Sequence, residues 1–69
     1  MLVDLSKVES VKEFVDKTRE KICPCYLKHD KYVIDAKSIL GIFSLNLSSP
    51  VELEVEDGDY SLFAEYASK

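Results

Sequence analysis

The side chains able to do chemistry are few: the two thiols of Cys23-Pro24-Cys25, one imidazole, His29, and scattered hydroxyls, of which Ser38 heads an apolar run. Cys23, Cys25 and His29 offer three metal ligands with no second cluster, whereas structural zinc takes four. On a strand, residues at i and i+2 share a face, so Cys23 and Cys25 would point the same way as Leu27, which reads as a pair of buried core cysteines. A small redox or metal-binding protein built on Cys23 and Cys25 is the competing reading. Two cysteines one residue apart suit neither an ordinary disulfide nor a multi-bridge framework, so reduced thiols are expected. His29 stands between Lys28 and Asp30 with no catalytic partner near it and reads as a surface histidine. Asp57-Gly58-Asp59 lacks the ligand spacing of a calcium loop, and Asn46-Leu47-Ser48 matches a glycosylation acceptor by chance. No Ser/His/Asp or Cys/His triad can be assembled. The expectation is a protein without a cofactor and without enzymatic activity.

The chain has 69 residues, a formal net charge of −4, and 46% hydrophobic residues. That is one domain, 1–69, with one thin core and no room for a separate catalytic unit. Its acidity argues against nucleic acid, whose phosphates need a surplus of Lys and Arg. Residues 1–37 carry eight basic and seven acidic side chains, whereas residues 38–69 carry Lys69 against six acids. Any anion-seeking surface must come from the first half. No apolar stretch approaches the roughly 20 residues of a membrane span, and Met1-Leu2-Val3-Asp4 lacks the basic region of a signal peptide. A cytoplasmic protein with no membrane insertion is expected.

The elements that must position these groups follow from periodicity. Val51-Glu52-Leu53-Glu54-Val55-Glu56 alternates strictly, giving a strand with three carboxylates on its wet face. Val8, Val11, Val15, Thr18 and Ile22 follow helical spacing behind Ser6-Lys7-Val8-Glu9, which has the form of a capping box, so a helix is predicted from about Lys7 to Glu20. Met1–Leu5 suits a short strand. Ile22–Leu27 and Tyr32–Asp35 suit a hairpin around Lys28-His29-Asp30-Lys31, with Pro24 demanding an edge or a bulge. After Asp57-Gly58-Asp59, Leu62, Phe63, Tyr66 and Ala67 predict a short helix with Asp59 as its cap.

Between these lies Ala36–Leu47, with Ile39, Leu40, Ile42, Phe43, Leu45 and Leu47. That is more apolar surface than a two-turn helix can turn inward. If Ile42, Leu45 and Leu47 pack, then Ile39, Leu40 and Phe43 stay together outside, as a partner site would; the alternative is that all six are core. The predicted fold is α+β: a four-stranded antiparallel sheet with three helices on one face, in the order βαββαβα.

The segment Asp35-Ala36-Lys37-Ser38-Ile39-Leu40-Gly41-Ile42-Phe43-Ser44-Leu45 closely resembles the regulatory-serine segment of HPr, the histidine-containing phosphocarrier of the bacterial phosphoenolpyruvate:sugar phosphotransferase system. A weaker likeness runs from Val11 to Val55. The resemblance implies an HPr-like open-faced sandwich. It also implies that Ser38 is a regulatory phosphorylation site for a serine kinase, with Lys37, Ile39, Leu40 and Phe43 binding that kinase or other phosphotransferase-system proteins. A second copy of the chain is a further partner for the same apolar helix, and a plain structural subunit is the blander alternative. The family's nucleophile is a histidine capping the first helix in a Gly-Leu/Ile-His-x-Arg-Pro-Ala context, with the arginine and helix amides holding the phosphoryl oxygens. Aligned on Phe14 and Ser38, those positions are Lys7, Glu9 and Ser10, and the chain begins too late for the family's full first strand and active loop. The resemblance therefore implies a degenerate phosphocarrier acting as a regulatory module. Asn46, where the family has Gly, and Pro50 depart from it in the loop after the helix.

Overall fold

A computed structural model describes residues 1–68, folded in the order β1 (Leu2–Val3), α1 (Val8–Glu20), β2 (Cys25–His29), β3 (Tyr32–Asp35), α2 (Ile39–Phe43), β4 (Val51–Val55) and a 3₁₀ helix, Ser61–Tyr66. The strands form one antiparallel sheet ordered β1-β4-β2-β3. The predicted α+β class, four-stranded sheet and three helices are all present. Among the described residues no helix is long and apolar enough to cross a membrane.

The alternation of β4 decides which sheet face is buried. Val51, Leu53 and Val55 are buried while Glu52 and Glu54 are exposed. Cys25 and Leu27 lie opposite Val55 and Leu53 across the β2–β4 ladder and continue the inner rows. The helices cover this face. Phe14 of α1 packs with its ring centroid 5.3 Å from Phe63 and 5.6 Å from Tyr66, edge-on to the latter, an arrangement favoured by ring quadrupoles. On the outer face, Lys28 pairs with Glu54 at 2.5 Å and the N-terminal amine with Glu52 at 3.1 Å. Glu56, expected in the same row, follows the end of β4 and is exposed.

Helix α1 buries Val11, Phe14, Val15 and Thr18. Val8 and Ile22, expected on that stripe, are exposed, Ile22 completely. The helix stops at Glu20, and Lys21 turns extended (φ −79°, ψ 134°), so Ile22 no longer keeps helical period. The expected capping box is absent as well. The cap is Lys7, which makes no side-chain cap bond, and Glu9 falls one position short of where it could reach back. Ser6 donates its N–H to Asp4 Oδ1 instead, at 3.0 Å.

The hairpin turn is tighter than predicted, with His29 paired to Tyr32 and Asp30 in the left-handed region at φ 53°, where Asp is better tolerated than most residues. Pro24 stands before β2 rather than within it, and its carbonyl accepts the Glu56 N–H at 3.2 Å. β2 is an interior strand and could not hold a proline. The last helix is 3₁₀, with Asp59 Oδ1 accepting the Ser61 N–H at 3.0 Å. Three residues per turn align Phe63 with Tyr66 inward and leave Leu62 and Ala67, both expected to pack, exposed. Ala67 bridges Val3, and the Ser68 and Asp4 N–H groups reach the Leu2 and Tyr66 carbonyls, each at 2.8 Å. These bonds seal the β1 edge of the sheet.

One buried polar side chain ties α1 to the β3–α2 connection. The Thr18 hydroxyl is completely buried and lies 2.8 Å from the Val15 carbonyl and 2.9 Å from that of Ala36. Thr18→Val keeps the shape but leaves these acceptors without that donor, a loss of about 1–3 kcal/mol. A thermal melt should show the midpoint falling by at least about 4 °C; an unchanged midpoint would refute this role for the bond.

Candidate functional site

The segment around Ser38 is built by short-range hydrogen bonds. Asp35, the last residue of β3, accepts the Lys37 N–H on Oδ1 at 2.8 Å and the Ser38 N–H on its carbonyl at 3.0 Å. This turn delivers Ser38 in an extended conformation, with its Oγ accepting the Gly41 N–H at 3.2 Å. Ser38 is thus the N-cap of α2, as its type predicts. A Cβ on Gly41 would sit 3.2 Å from Ser38 Oγ and 3.4 Å from Ser38 Cβ, so the glycine gives this cap its room. At the other end Ser44 Oγ donates to the Gly41 carbonyl at 2.5 Å. Serine side chains therefore hold both ends of a five-residue helix too short to persist alone.

The apolar surplus divides differently from the expectation. Ile42 is buried, and Ile39, Leu45 and Leu47 are half-buried against the core. Ile39 thus turns inward rather than joining the outer patch, because α2 lies close over Ile34 and presents Ile39 as well as Ile42 to the layer beneath. Leu40 remains 81% exposed and Phe43 42% exposed, at i and i+3 on one helix face. Lys37 does not supply a free cation beside Ser38, since its Nζ donates to the Lys21 carbonyl at 2.7 Å, beyond the end of α1. The outer patch therefore consists of Leu40 and Phe43, with Ser38 half-buried at the start of the helix.

His29 is half-buried and does not stand in isolation. With Asp30, Tyr32, Ile34, Ser44, Leu45 and Asn46 it lines a groove of about 400 Å³ between the hairpin and the segment after α2. Its Nε2 is 3.7 Å from Asp30 Oδ2. Strand periodicity could not reveal this groove, which depends on the path of the chain beyond α2. At the start of α1 a second hollow, of about 300 Å³, is lined by Asp4, Ser6, Lys7, Ser10, Glu13 and Glu65 among others. It holds no imidazole, and its three carboxylates make it a poor seat for a phosphoryl group.

Cys25 is buried and Cys23 half-buried. The Cys25 thiol points at the Cys23 carbonyl at 3.8 Å, and burial pushes its pKa up, the reverse of what thiolate chemistry needs. Among the described residues no three His, Cys, Asp or Glu side chains are placed to hold a metal ion. Beside the thiols, Lys21 Nζ lies 2.8 Å from Asp57 Oδ2 and 3.9 Å from Asp59 Oδ2. The Lys21 hydrogen bond holds the Asp57 carboxyl below its usual range, and Asp57 raises Lys21. Comparison of the chain with protein-family models, with curated proteins and with solved structures gives no match to any of them.

Two outcomes are expected. Ser38→Ala should destabilise the protein by about 1 kcal/mol in denaturant unfolding, the usual worth of a cap; no loss would mean that the cap bond is not maintained in solution. For Asp57, a lowered folded-state pKa means stabilisation that is present above the unfolded-state pKa and lost as pH falls through the folded one. Lys21→Met should move the Asp57 midpoint up toward its ordinary value in a carboxyl NMR titration, and an unmoved midpoint would exclude Lys21 as the cause.

Proposed function

We propose that the chain is a cytoplasmic, HPr-like protein that works as a regulatory or protein-binding module through α2, with Ser38 as its phosphorylation site. It is not a histidine phosphocarrier in this reading. The observation that carries the proposal is the exposure of Leu40 and Phe43 on a helix whose other apolar residues are buried or half-buried. A large apolar side chain left in water on a short, well-capped helix is what a partner surface requires. The order βαββαβα and the resemblance of Asp35–Leu45 to the regulatory segment support the same family.

The chemistry of the switch follows from the cap. Phosphorylation of Ser38 adds about −1.5 to −2 charges while leaving oxygens free to accept the Gly41 N–H. The nearest chain neighbour with a positive charge, Lys37, is held against α1, so the added charge faces a partner rather than a cation next to it in sequence. A partner reading this surface would combine an apolar contact for Leu40 and Phe43 with a test for the phosphate. Against a phosphocarrier role at the start of α1 stand Lys7 at the cap and the three carboxylates among the residues lining the hollow. The thiol alternative is disfavoured by the burial of Cys25.

Incubation with the family's serine kinase and ATP, read by intact mass, should add one phosphoryl group, which Ser38→Ala abolishes. Equal labelling of the two proteins would refute the assignment of Ser38. Leu40→Ser should weaken kinase binding at least tenfold while changing stability by less than about 1 kcal/mol, as expected of an exposed position. Unchanged binding would remove α2 from the interface.

A further inference from the structure

The sheet has two edges, and only one is closed. The β1 edge is sealed by the bridge from Val3 to Ala67 and the bonds around it. β3 is the other edge strand, followed directly by the turn into α2. The Ala36 N–H reaches the Cys25 carbonyl at 2.9 Å. Because hydrogen-bonded and non-bonded pairs alternate along an antiparallel ladder, Ile34–Leu27 and Tyr32–His29 are the bonded pairs. Val33 and Asp35 therefore direct their backbone groups away from the sheet. The Asp35 carbonyl is taken up by Ser38, but among the described residues no backbone bond runs from Val33 to a further strand. Tyr32 and Val33 are 65% and 60% exposed. The strand has no proline and no bulge to discourage pairing.

We propose that β3 pairs antiparallel with β3 of a second copy of this chain, about a two-fold axis at Val33, to make a continuous eight-stranded sheet. The charges select both partner and register. Asp35 lies two residues after Val33 on the same strand face, Lys31 is the turn residue two positions before it, and both are exposed. With Val33 opposite its own counterpart, each Lys31 faces the Asp35 of the other copy, so both ends of the pairing carry opposite charges. Parallel pairing in register would set Lys31 against Lys31 and Asp35 against Asp35. Cross-strand pairs of opposite charge stabilise a sheet, and like pairs destabilise it. An isologous contact of this kind closes after two copies, because each molecule spends its β3 edge. The contact involves one four-residue strand, which places it among small, weak interfaces.

Sedimentation velocity over a range reaching on the order of 1 mM should show the mass doubling with concentration, and hydrogen exchange at the Val33 amide should slow in step. Val33→Glu should abolish the doubling while preserving the fold, since the new carboxylate lies opposite Lys28 within its own sheet and opposite a second carboxylate across the axis. Lys31→Glu and Asp35→Lys should each be monomeric alone, whereas an equimolar mixture should regain the doubled mass, because every cross-strand pair is then opposite in sign. Leu40→Ser should leave the doubling unchanged. Monomeric mass throughout the range, doubling that survives Val33→Glu, or doubling lost with Leu40→Ser would each overturn the proposal.

Discussion

Everything in this molecule depends on burying one face of one sheet. A chain of this length can build a single apolar layer, and the inner rows of β2 and β4 supply one wall of it. Leu27 against Leu53 and Cys25 against Val55 run side by side across the ladder. Phe14, with Phe63 and Tyr66, forms the facing wall. The strict alternation of β4 follows from this, because a single-residue slip would place Glu52 and Glu54 in the core and Leu53 in water. The outer face mixes the exposed Leu2, Tyr26 and Val33 with ion pairs that contribute little individually.

The same constraint leaves α2 half satisfied. One layer can take Ile42 and most of Ile39 from a five-residue helix but not Leu40 and Phe43 as well. The helix is kept in place by its capping serines, by its approach to Ile34 and, through Ala36, by the Thr18 hydroxyl. Exposed apolar side chains and a hydrogen-bonded cap thus occur on the same short helix. Cys25 is sequestered, His29 lines a groove beside a single carboxylate, and the start of α1 is ringed by acids.

Much of this was legible in the residues. Period-two alternation identifies β4 and its wet face, three-and-four spacing identifies α1, and the serine before an apolar run identifies the α2 cap. Several positions differ because local pattern does not fix where an element begins or ends. Ile22 fits the α1 stripe until the chain turns extended at Lys21, and Leu62 and Ala67 fit an α-helix but not the tighter 3₁₀ turn. Ser6 has the type of a cap but is preempted by Asp4. Lys37 and Ile39 were unreadable for a different reason. Their partners, the Lys21 carbonyl and the core beneath α2, lie far away in sequence. The groove at His29 is equally nonlocal, joining the hairpin to Ser44 and Asn46.

If α2 is the working surface of this protein and the start of α1 is not, amide chemical-shift mapping of labelled protein titrated with the serine kinase of the family it resembles should show it. Shifts should centre on Ser38, Leu40 and Phe43 and leave Lys7 to Ser10 unmoved. Shifts centred on Lys7 to Ser10, or on the outer sheet face around Tyr26 and Glu54, would contradict it.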